Sequence, residues 1–490
     1  MSKNTELLEY IYKQRWCNFK EEIADEKIID IKLNSTSFDN NKIFIIGEAE
    51  IKGLQKQYFV MPLIKGKNKE YTYFKYKDDY VHDALTSSDY WKSLMKNITL
   101  DKTFVINLEY NLIYHSWDNF DFITSHIEDE SKPLGAEQSN TTLIVGNKDI
   151  AFKQQRIIEF SNEVNSEIDM NYQLMKTGCS VVPKTYGYLS LVKTNGENAF
   201  VGIVQEFIKN KGDLWEISRD TLVNILQNSF EKDNDKIPFT KYENLVLLMK
   251  KLGQKTNSLI QCFKSFNEKN SDVKKISLTY LQNYKKQLKD LVEKTRQNII
   301  NNINNLTSDK ALNIQEPLKN FKKYIDIFIK DNFSKIEMRE DKGLLMRVHG
   351  DFHLGQAIQT LDNDIKIIDF SGEPHLSFNQ RKERRSYMYD IAGMYRSITG
   401  YLPVVVSKRF ATDKNGNIDN EKLIWANEIL KPIINELSNA FISELEIDKE
   451  WFNIEVFRRN LYEINYEIAY RPTMLFIPIN NLKELLLQGK

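Results

Sequence analysis

An α+β fold in two lobes, with strands gathered in the N-terminal half and helices in the C-terminal half, is what the sequence predicts. Three observations carry that expectation. Residues 101–210 read as strands with a single helix among them. Beyond 213 the pattern turns to long amphipathic stretches at 240–267, 274–306, 314–332, 421–446 and 452–469. Gly (19) and Pro (10) are scarce in 490 residues, which favours long helices over a turn-rich all-β fold.

In chain order, LLEYIYKQRW reads as a short helix. KIFIIGEAEIKG and KQYFVMPLIKG alternate as paired strands, and KGKNKE makes a polar turn before YTYFKY. SSDYWKSLMKNI is a helix that Ser87 or Ser88 can cap. These elements form an N-terminal α+β cap over 1–103. An intermediate lobe over 104–210 follows, with TFVINLEY, TTLIVG, DIAFKQ and FVGIVQEFI as strand candidates. Its helix, NEVNSEIDMNYQLMKTG, finds in Gly178 a residue suited to a helix C-terminus. The helical lobe spans 211–490. Short strands interrupt it, LLMRVHGD with AIQTL and then IKIIDF, and the Asn-rich NNINNLTSD suits a helix–helix turn.

Composition excludes several classes. Lys+Arg (68) equals Asp+Glu (68), so the chain lacks the bulk positive field of a nucleic-acid or membrane-surface binder. With 12% aromatic residues, disorder is not expected. Three cysteines, Cys17, Cys179 and Cys262, are too few and too far apart for a disulfide scaffold. The N-terminus has no secretory h-region, and no run of 18 apolar residues occurs, so a cytoplasmic location with reduced thiols is expected.

The chemistry sits in RVHGDFHLGQAIQTLDNDIKIIDFSGEP, residues 347–374. Phosphoryl transfer needs one carboxylate to take the proton of the attacking hydroxyl, and oxygen ligands to hold metal ions on the phosphates. Protein-kinase-like folds supply a catalytic-loop Asp, an Asn five residues on, and the Asp of a strand-borne turn. Asp351, Gln356 and Asp369 match that order, with Gln offering the same neutral carbonyl as Asn. A rival reading takes His349, Asp351, His353 and His375 as a hydrolase metal cluster. It leaves Gln356 and Asp369 unexplained, and the chain has only 6 His. A kinase site also needs a strand lysine for the phosphates and a helix acid to hold it. Lys153 in DIAFKQQ is the candidate, with Glu167 or Asp169 as partner. No GxGxxG precedes it; Gln138-Ser139-Asn140-Thr141-Thr142 takes that place, and VQEFI at 204–208 is the adenine-binding hinge candidate.

Seven strings together resemble the maltokinases, ATP-dependent enzymes that make maltose 1-phosphate and look like aminoglycoside phosphotransferases with an added N-terminal cap. They are YVHDALTSSDYWKSLMKNI, GAEQSNTTLIVGNKDIAFK, IVQEFIKNKGDLW, HGDFHLGQ, IDFSGEP, DIAGMYRS and YEINYEIAYRP, in that order. The resemblance implies a bilobal, protein-kinase-like fold that uses ATP and Mg²⁺. It implies Asp351 as base and Gln356 and Asp369 as metal ligands. For the nucleotide it implies Lys153 with Asp169 as partner and Glu167 in reserve, Ser139, Asn140 and Thr141 at the phosphates, and Gln205, Glu206 and Phe207 at the hinge. It implies a small-molecule sugar held by Glu373, Arg396, Tyr462, Tyr466, Glu467 and Arg471. A link to trehalose–maltose interconversion and glycogen-type glucan synthesis is likewise only implied. Nothing in the chain predicts a protein partner, and monomer is the simplest state.

Four residues depart from the family pattern: Ser371 where an acid is usual, Arg459 for Lys, Tyr470 for Asn and Met474 for Trp. Three of them fall at the expected sugar end and put the acceptor in question, since one unpaired buried polar group costs ~1–3 kcal/mol. Alternatives are therefore a kinase of glucosamine or another sugar, and a non-catalytic nucleotide-binding regulator. Ser371, replacing an acid, counts mildly against a cationic acceptor.

Overall fold

The computed structural model describes residues 5–488, apart from 15, 18, 26, 38–39, 54–55, 67–72, 77–78, 88, 99–102, 118–119, 135–139, 231–235, 267–272, 309–314, 341 and 374–375. The chain divides into two compact units, Met1–Lys176 with Pro183–Lys209, and Thr177–Val182 with Asn210–Lys490. Residues 1–103, expected as a cap, lie within the first unit.

Two antiparallel sheets build the first unit. In one, Ile28–Ser37, Lys42–Ile51, Gln57–Lys65, Asp79–Asp83 and Tyr73–Tyr76 lie side by side. In the other the order is Phe104–Val105, Tyr110–Ser116, Thr185–Lys193, Asn198–Glu206, Ile150–Gln155, Asn140–Val145 and Ser131–Pro133. Strand alternation gives the cap one core of its own and a share in a second. Along Lys42–Ile51, Ile43 and Ile45 enter one apolar cluster while Phe44 and Ile46 enter another. The second cluster also takes Leu143, Phe152, Leu189 and Val201 from the other sheet, and Trp91 from helix Tyr90–Ile98. Ile157–Ile158 pairs with Tyr58 and Phe59 and ties the sheets together.

Helices dominate the second unit. Lys449–Tyr470 packs on Leu278–Ser308 and on Met388–Arg396, and Glu243–Ser265 packs on Asn420–Ile442. Asp448 starts the first of these by accepting the backbone N–H groups of Glu450 and Trp451, each at 3.1 Å. Phe457 stacks on Phe328 from helix Gln315–Ile336, with ring centroids 3.8 Å apart. A small sheet orders Asn210–Asp213, Ala357–Thr360 and Ile365–Ile367. No helix among the described residues is long and apolar enough to cross a membrane.

Several elements differ from expectation. Ile28–Ser37 is a sheet-edge strand with one fully buried residue, Ile31, so its sequence shows no clean alternation. TFVINLEY is broken: Asn107 Oδ1 accepts the N–H groups of Glu109 and Tyr110, making a turn, and the long strand begins only at Tyr110. Thr185–Lys193 also forms a strand. Leu344–Leu345 pairs with Lys274–Lys275, not with AIQTL, which pairs with IKI instead. The Asn-rich stretch continues helix Leu278–Ser308, and the KGKNKE turn and Ser88 lie largely or wholly outside the described residues.

The cysteines also differ. Cys179 and Cys262 form a disulfide with a Cα–Cα distance of 5.9 Å, while Cys17 is free and buried. Sequence separation hid this, because residues 177–182 run within the helical unit. There Ile367 donates its N–H to the Val181 carbonyl at 2.8 Å, and Lys366 Nζ donates to the Ser180 carbonyl.

Candidate active site

The loop carrying Asp351 is held from beneath by one carboxylate. Asp390, near the start of helix Met388–Arg396, accepts the N–H of His349 at 2.7 Å and that of Gly350 at 2.9 Å. Burial raises the Asp390 pKa, against the opposing pull of His349 and of these N–H groups. Gly350 sits at φ +89°, a conformation L-residues rarely adopt. Gly393 lets the helix approach: a Cβ there would stand 2.8 Å from the Phe352 carbonyl oxygen. His349 is 1% exposed. Its Nε2–H donates to the Ile368 carbonyl at 2.9 Å, and its Nδ1 faces the Asp351 N–H at 3.4 Å.

Gln356 and Asp369 leave the same end of one hairpin. Ala357 pairs with Ile367, and the Ile368 N–H donates to the Gln356 carbonyl at 2.9 Å. Asp369 follows at φ +65°, left-handed backbone that Asp tolerates better than most residues. Ser371 Oγ donates to Asp369 Oδ1 at 3.0 Å, so the residue replacing a second acid serves the first. Gln356 is flanked by His353, whose Nδ1 accepts the Gly355 N–H at 3.1 Å. Burial lowers the His353 pKa and keeps the ring neutral.

Asp351 opens on a cavity of about 390 Å³ within the helical unit. Helix Lys449–Tyr470 presents Arg459, Tyr462, Glu463 and Tyr466 to it, at the i, i+3, i+4 and i+7 positions of one face. Arg471, Tyr401, Trp215 and Met474 complete the wall. Ser397 and Tyr401 also line it and bound the π-helical turn Ser397–Tyr401, a geometry frequent at functional sites. The centre of the wall is Arg459. It donates to Glu373 at 2.6 Å and to Glu463 at 3.2 Å, and its Nη2 lies 3.8 Å from Asp351 Oδ1. Burial works against its charge, yet Glu373, Glu463 and Asp351 outweigh burial and hold its pKa above the usual guanidinium value.

Some expected sugar contacts are committed elsewhere. Glu373 is 1% exposed, with Arg459 on one oxygen and the Tyr389 hydroxyl at 2.6 Å on the other. Arg396 is equally buried and spends Nε and Nη2 on Glu463. Glu467 is fully buried against Tyr401 and Arg471, and burial raises its pKa. These three brace the wall, whereas Tyr462, Tyr466 and Arg471 face the cavity.

In the strand-rich unit, Lys153 lies mid-sheet, opposite Thr142 on one side and Ile203 on the other. Its Nζ is 3.1 Å from Glu167 Oε1. Of the two expected partners, Glu167, the one in reserve, makes this contact; Asp169 lies two residues on, about 200° round the helix. The Asn165 side chain caps this helix by accepting the Glu167 N–H at 2.8 Å. Thr141 Oγ1 accepts from buried Arg156, which also pairs with Asp83 at 2.5 Å. Asn140 opens its strand opposite Gln155. Ser139 lies outside the described residues. At the expected hinge, the Glu206 N–H donates to the Lys184 carbonyl and the Phe207 N–H to the Asp149 carbonyl. Gln205 donates to Asn171 and Thr185, both at 3.0 Å. Two of the expected backbone donors and the Gln205 amide are thus engaged within the chain.

Among the described residues, no three His, Cys, Asp or Glu are arranged to hold a metal ion. Both ring nitrogens of His349 face the backbone, and His375 lies outside the described residues. The hydrolase cluster has no footing there. The carboxylate of Asp369 and the amide oxygen of Gln356 are a donor set that fits a hard cation such as Mg²⁺.

With this geometry in view, comparison with known proteins points one way. No family model matches the chain. A curated glucosamine kinase of Streptacidiphilus jiangxiensis is 40% identical over 62 residues, 13% of this chain and 14% of that protein's length. A solved glucosamine kinase in complex with glucosamine, ADP and inorganic phosphate aligns with 99% of this chain and 100% of its own. The TM-score is 0.61 at 14% identity, so the likeness is one of fold. A second glucosamine kinase structure, crystal form B, aligns at TM-score 0.60 and 14% identity over 94% of this chain and 95% of its own.

Arg459, Glu463, Tyr401 and Ser397 were not among the expected site residues. Arg459 had drawn notice only as a departure from a pattern. The signal available was spacing, since Arg459, Glu463 and Glu467 repeat every four residues on the helix that carries Tyr462 and Tyr466.

Proposed function

We propose that the chain is an ATP-dependent sugar kinase with a bilobal, protein-kinase-like organisation, and that glucosamine is the first acceptor to test. One observation carries this reading. Asp351 stands on a loop pinned by Asp390 and opens on a tyrosine- and arginine-lined cavity, beside a hairpin that delivers Gln356 and Asp369 together.

The chemistry follows from these groups. Asp351 takes the proton of a sugar hydroxyl as that oxygen attacks the γ-phosphorus and ADP leaves. Arg459 fixes the orientation of the Asp351 carboxylate. Lys153, held by Glu167, binds phosphate oxygens. Asp369 and Gln356 would hold Mg²⁺, which when bound offsets phosphate charge. Tyr462 and Tyr466 offer ring faces to the sugar, and Arg471 offers N–H donors to its hydroxyls.

The choice of acceptor rests on the solved neighbours, which are glucosamine kinases. The charges that line the cavity balance, Arg459 and Arg471 against Asp351 and Glu463, so charge does not set the order of the acceptors. Maltose is the second reading, favoured by the sequence motifs, and two of the four departures, Arg459 and Met474, line this wall. The test is ADP release with Mg·ATP against glucosamine, glucose, maltose, trehalose and an aminoglycoside, with NMR of any product. Turnover on glucosamine supports the first reading and turnover on maltose alone the second. ATP binding with no sugar-dependent turnover would overturn both and leave a nucleotide-binding regulator.

A further inference from the structure

A second cavity, larger than the acceptor cavity at about 520 Å³, lies in the same helical unit and is not used by the chemistry above. Helix Leu278–Ser308 forms one side with Tyr280, Tyr284 and Gln287. Tyr389 and Arg458 line it from the helices opposite, and Tyr462 lines both cavities. Its size falls in the usual range for small-molecule sites.

The wall chemistry narrows the ligand. Five of its seven charged lining residues are held in ion pairs: Arg458 with Glu455 at 2.8 Å, Arg385 with Glu383 at 3.2 Å, and Glu373 with Arg459 at 2.6 Å; the other two, Asp290 and Arg384, are of opposite sign. A phosphate or an ammonium would have to displace such a pair. Besides Asp290 and Arg384, whose carboxylate and guanidinium also bind hydroxyls, the wall offers uncharged groups: tyrosine rings and side-chain amides. Arg458 Nη2 is buried behind the wall and meets no hydrogen-bond acceptor among the described residues. Aromatic faces with fixed donors at their rim recognise a polyhydroxylated ring.

The cavity is also wired to the base. Tyr389 lies under the Arg458 guanidinium, 3.8 Å from its ring centroid, and donates its hydroxyl to Glu373 at 2.6 Å. Glu373 holds Arg459, and Arg459 stands 3.8 Å from Asp351. We propose that this cavity is a second, non-reacting site for a neutral sugar ring, coupled to Asp351 through Tyr389, Glu373 and Arg459. The coupling part rests on the sugar-kinase reading. A ring that draws on Tyr389 or Arg458 shifts the hold on Arg459, and by linkage the acceptor's presence changes affinity in the second cavity.

The test counts bound sugar. Isothermal titration with D-glucose and with glucosamine is run on the whole chain and on Gln287→Trp and Asn283→Trp, which fill the cavity from exposed positions. Two equivalents per wild-type chain and one in either variant support the proposal. So does a sugar-rate curve that departs from a hyperbola in wild type and becomes hyperbolic in the variants, with low-sugar kcat/KM changed less than twofold. One equivalent in wild type, or two in both variants, overturns it. Loss in the variants confined to a disaccharide such as maltose also overturns it, making the cavity an extension of the acceptor site. Sugar-independent ADP release alongside two bound equivalents would sink the kinase reading while leaving the second site standing.

Discussion

Replacing Arg459 with Met tests the wall at its most connected point. The side chain is 12% exposed and serves Glu373 and Glu463, with Asp351 near by. Its removal takes the Arg459 cation from Glu373, whose side chain is 1% exposed. Breaking a buried pair from one side costs about 3–5 kcal/mol, a large share of a typical stability of about 5–15 kcal/mol. Glu373→Gln removes the carboxylate charge itself. The double variant should therefore lose less than the sum of the singles, with a coupling of about 1–3 kcal/mol. Arg459→Lys keeps a charge but not the fork that reaches two carboxylates, and should lose about 1.5–3 kcal/mol. Urea unfolding followed by circular dichroism reads wild type and all four variants. Arg459→Met within 0.5 kcal/mol of wild type, or strict additivity with Glu373→Gln, would refute the argument, because a buried carboxylate cannot lose its cation without cost.

Other predictions address the chemistry and the frame. Asp351→Asn should lower kcat by about 10²–10⁴-fold with ATP affinity retained; unchanged turnover would remove Asp351 from the reaction. Gly393→Ala should destabilise by about 1–3 kcal/mol despite alanine's helix preference, since its Cβ meets the Phe352 carbonyl; a more stable variant would contradict that close approach. The disulfide spans 83 residues, so Cys179→Ser with Cys262→Ser should cost up to about 4.5 kcal/mol, and thiol titration of the unreduced, unfolded chain should find Cys17 alone. His115 is held neutral by burial, stacked on Tyr188 and bonded to Ser190 at 2.7 Å. Its folded pKa lies below the unfolded value near 6.5. The unfolded chain therefore binds the extra proton, and stability should fall as pH drops through and below about 6.5. His115→Asn should flatten that slope.

Local chemistry with short sequence reach was legible. The spacing of Asp351, Gln356 and Asp369 was readable because one loop and one hairpin deliver all three. Lys153 was readable because a strand's register fixes its place, while the choice between Glu167 and Asp169 turned on two residues of helix, enough to change the face. The amphipathic helices beyond 240 announced themselves by period. Ile28–Ser37 did not, since a strand with a single buried side chain leaves almost no pattern. Glu373 and Arg396 show the deeper limit. Their side chains are ones that also bind sugar hydroxyls, and only the fold reveals that Tyr389, Arg459 and Glu463 have already taken them. The Cys179–Cys262 bond was hidden for a related reason, because nothing local marks where a short segment will leave one unit and join another.

That excursion has a consequence for how the chain is made. Residues 177–182 belong to the helical unit but are synthesised between two stretches of the strand-rich one. Val181 and Val182, 3% and 6% exposed in the finished fold, leave the ribosome long before Ile367, which closes a backbone bond on Val181. For roughly the time needed to translate 185 residues, at about 5–20 residues per second, Val181 waits without this bond, although Cys262, the partner of Cys179, is made earlier. No single cut in the chain yields both units whole. A fragment ending at Lys209 would carry the orphaned valines, and one starting at Asn210 would lack the segment that receives Ile367. The two units are therefore inherited, expressed and matured as one gene product, and a chaperone acting on the nascent chain has a defined stretch to shield.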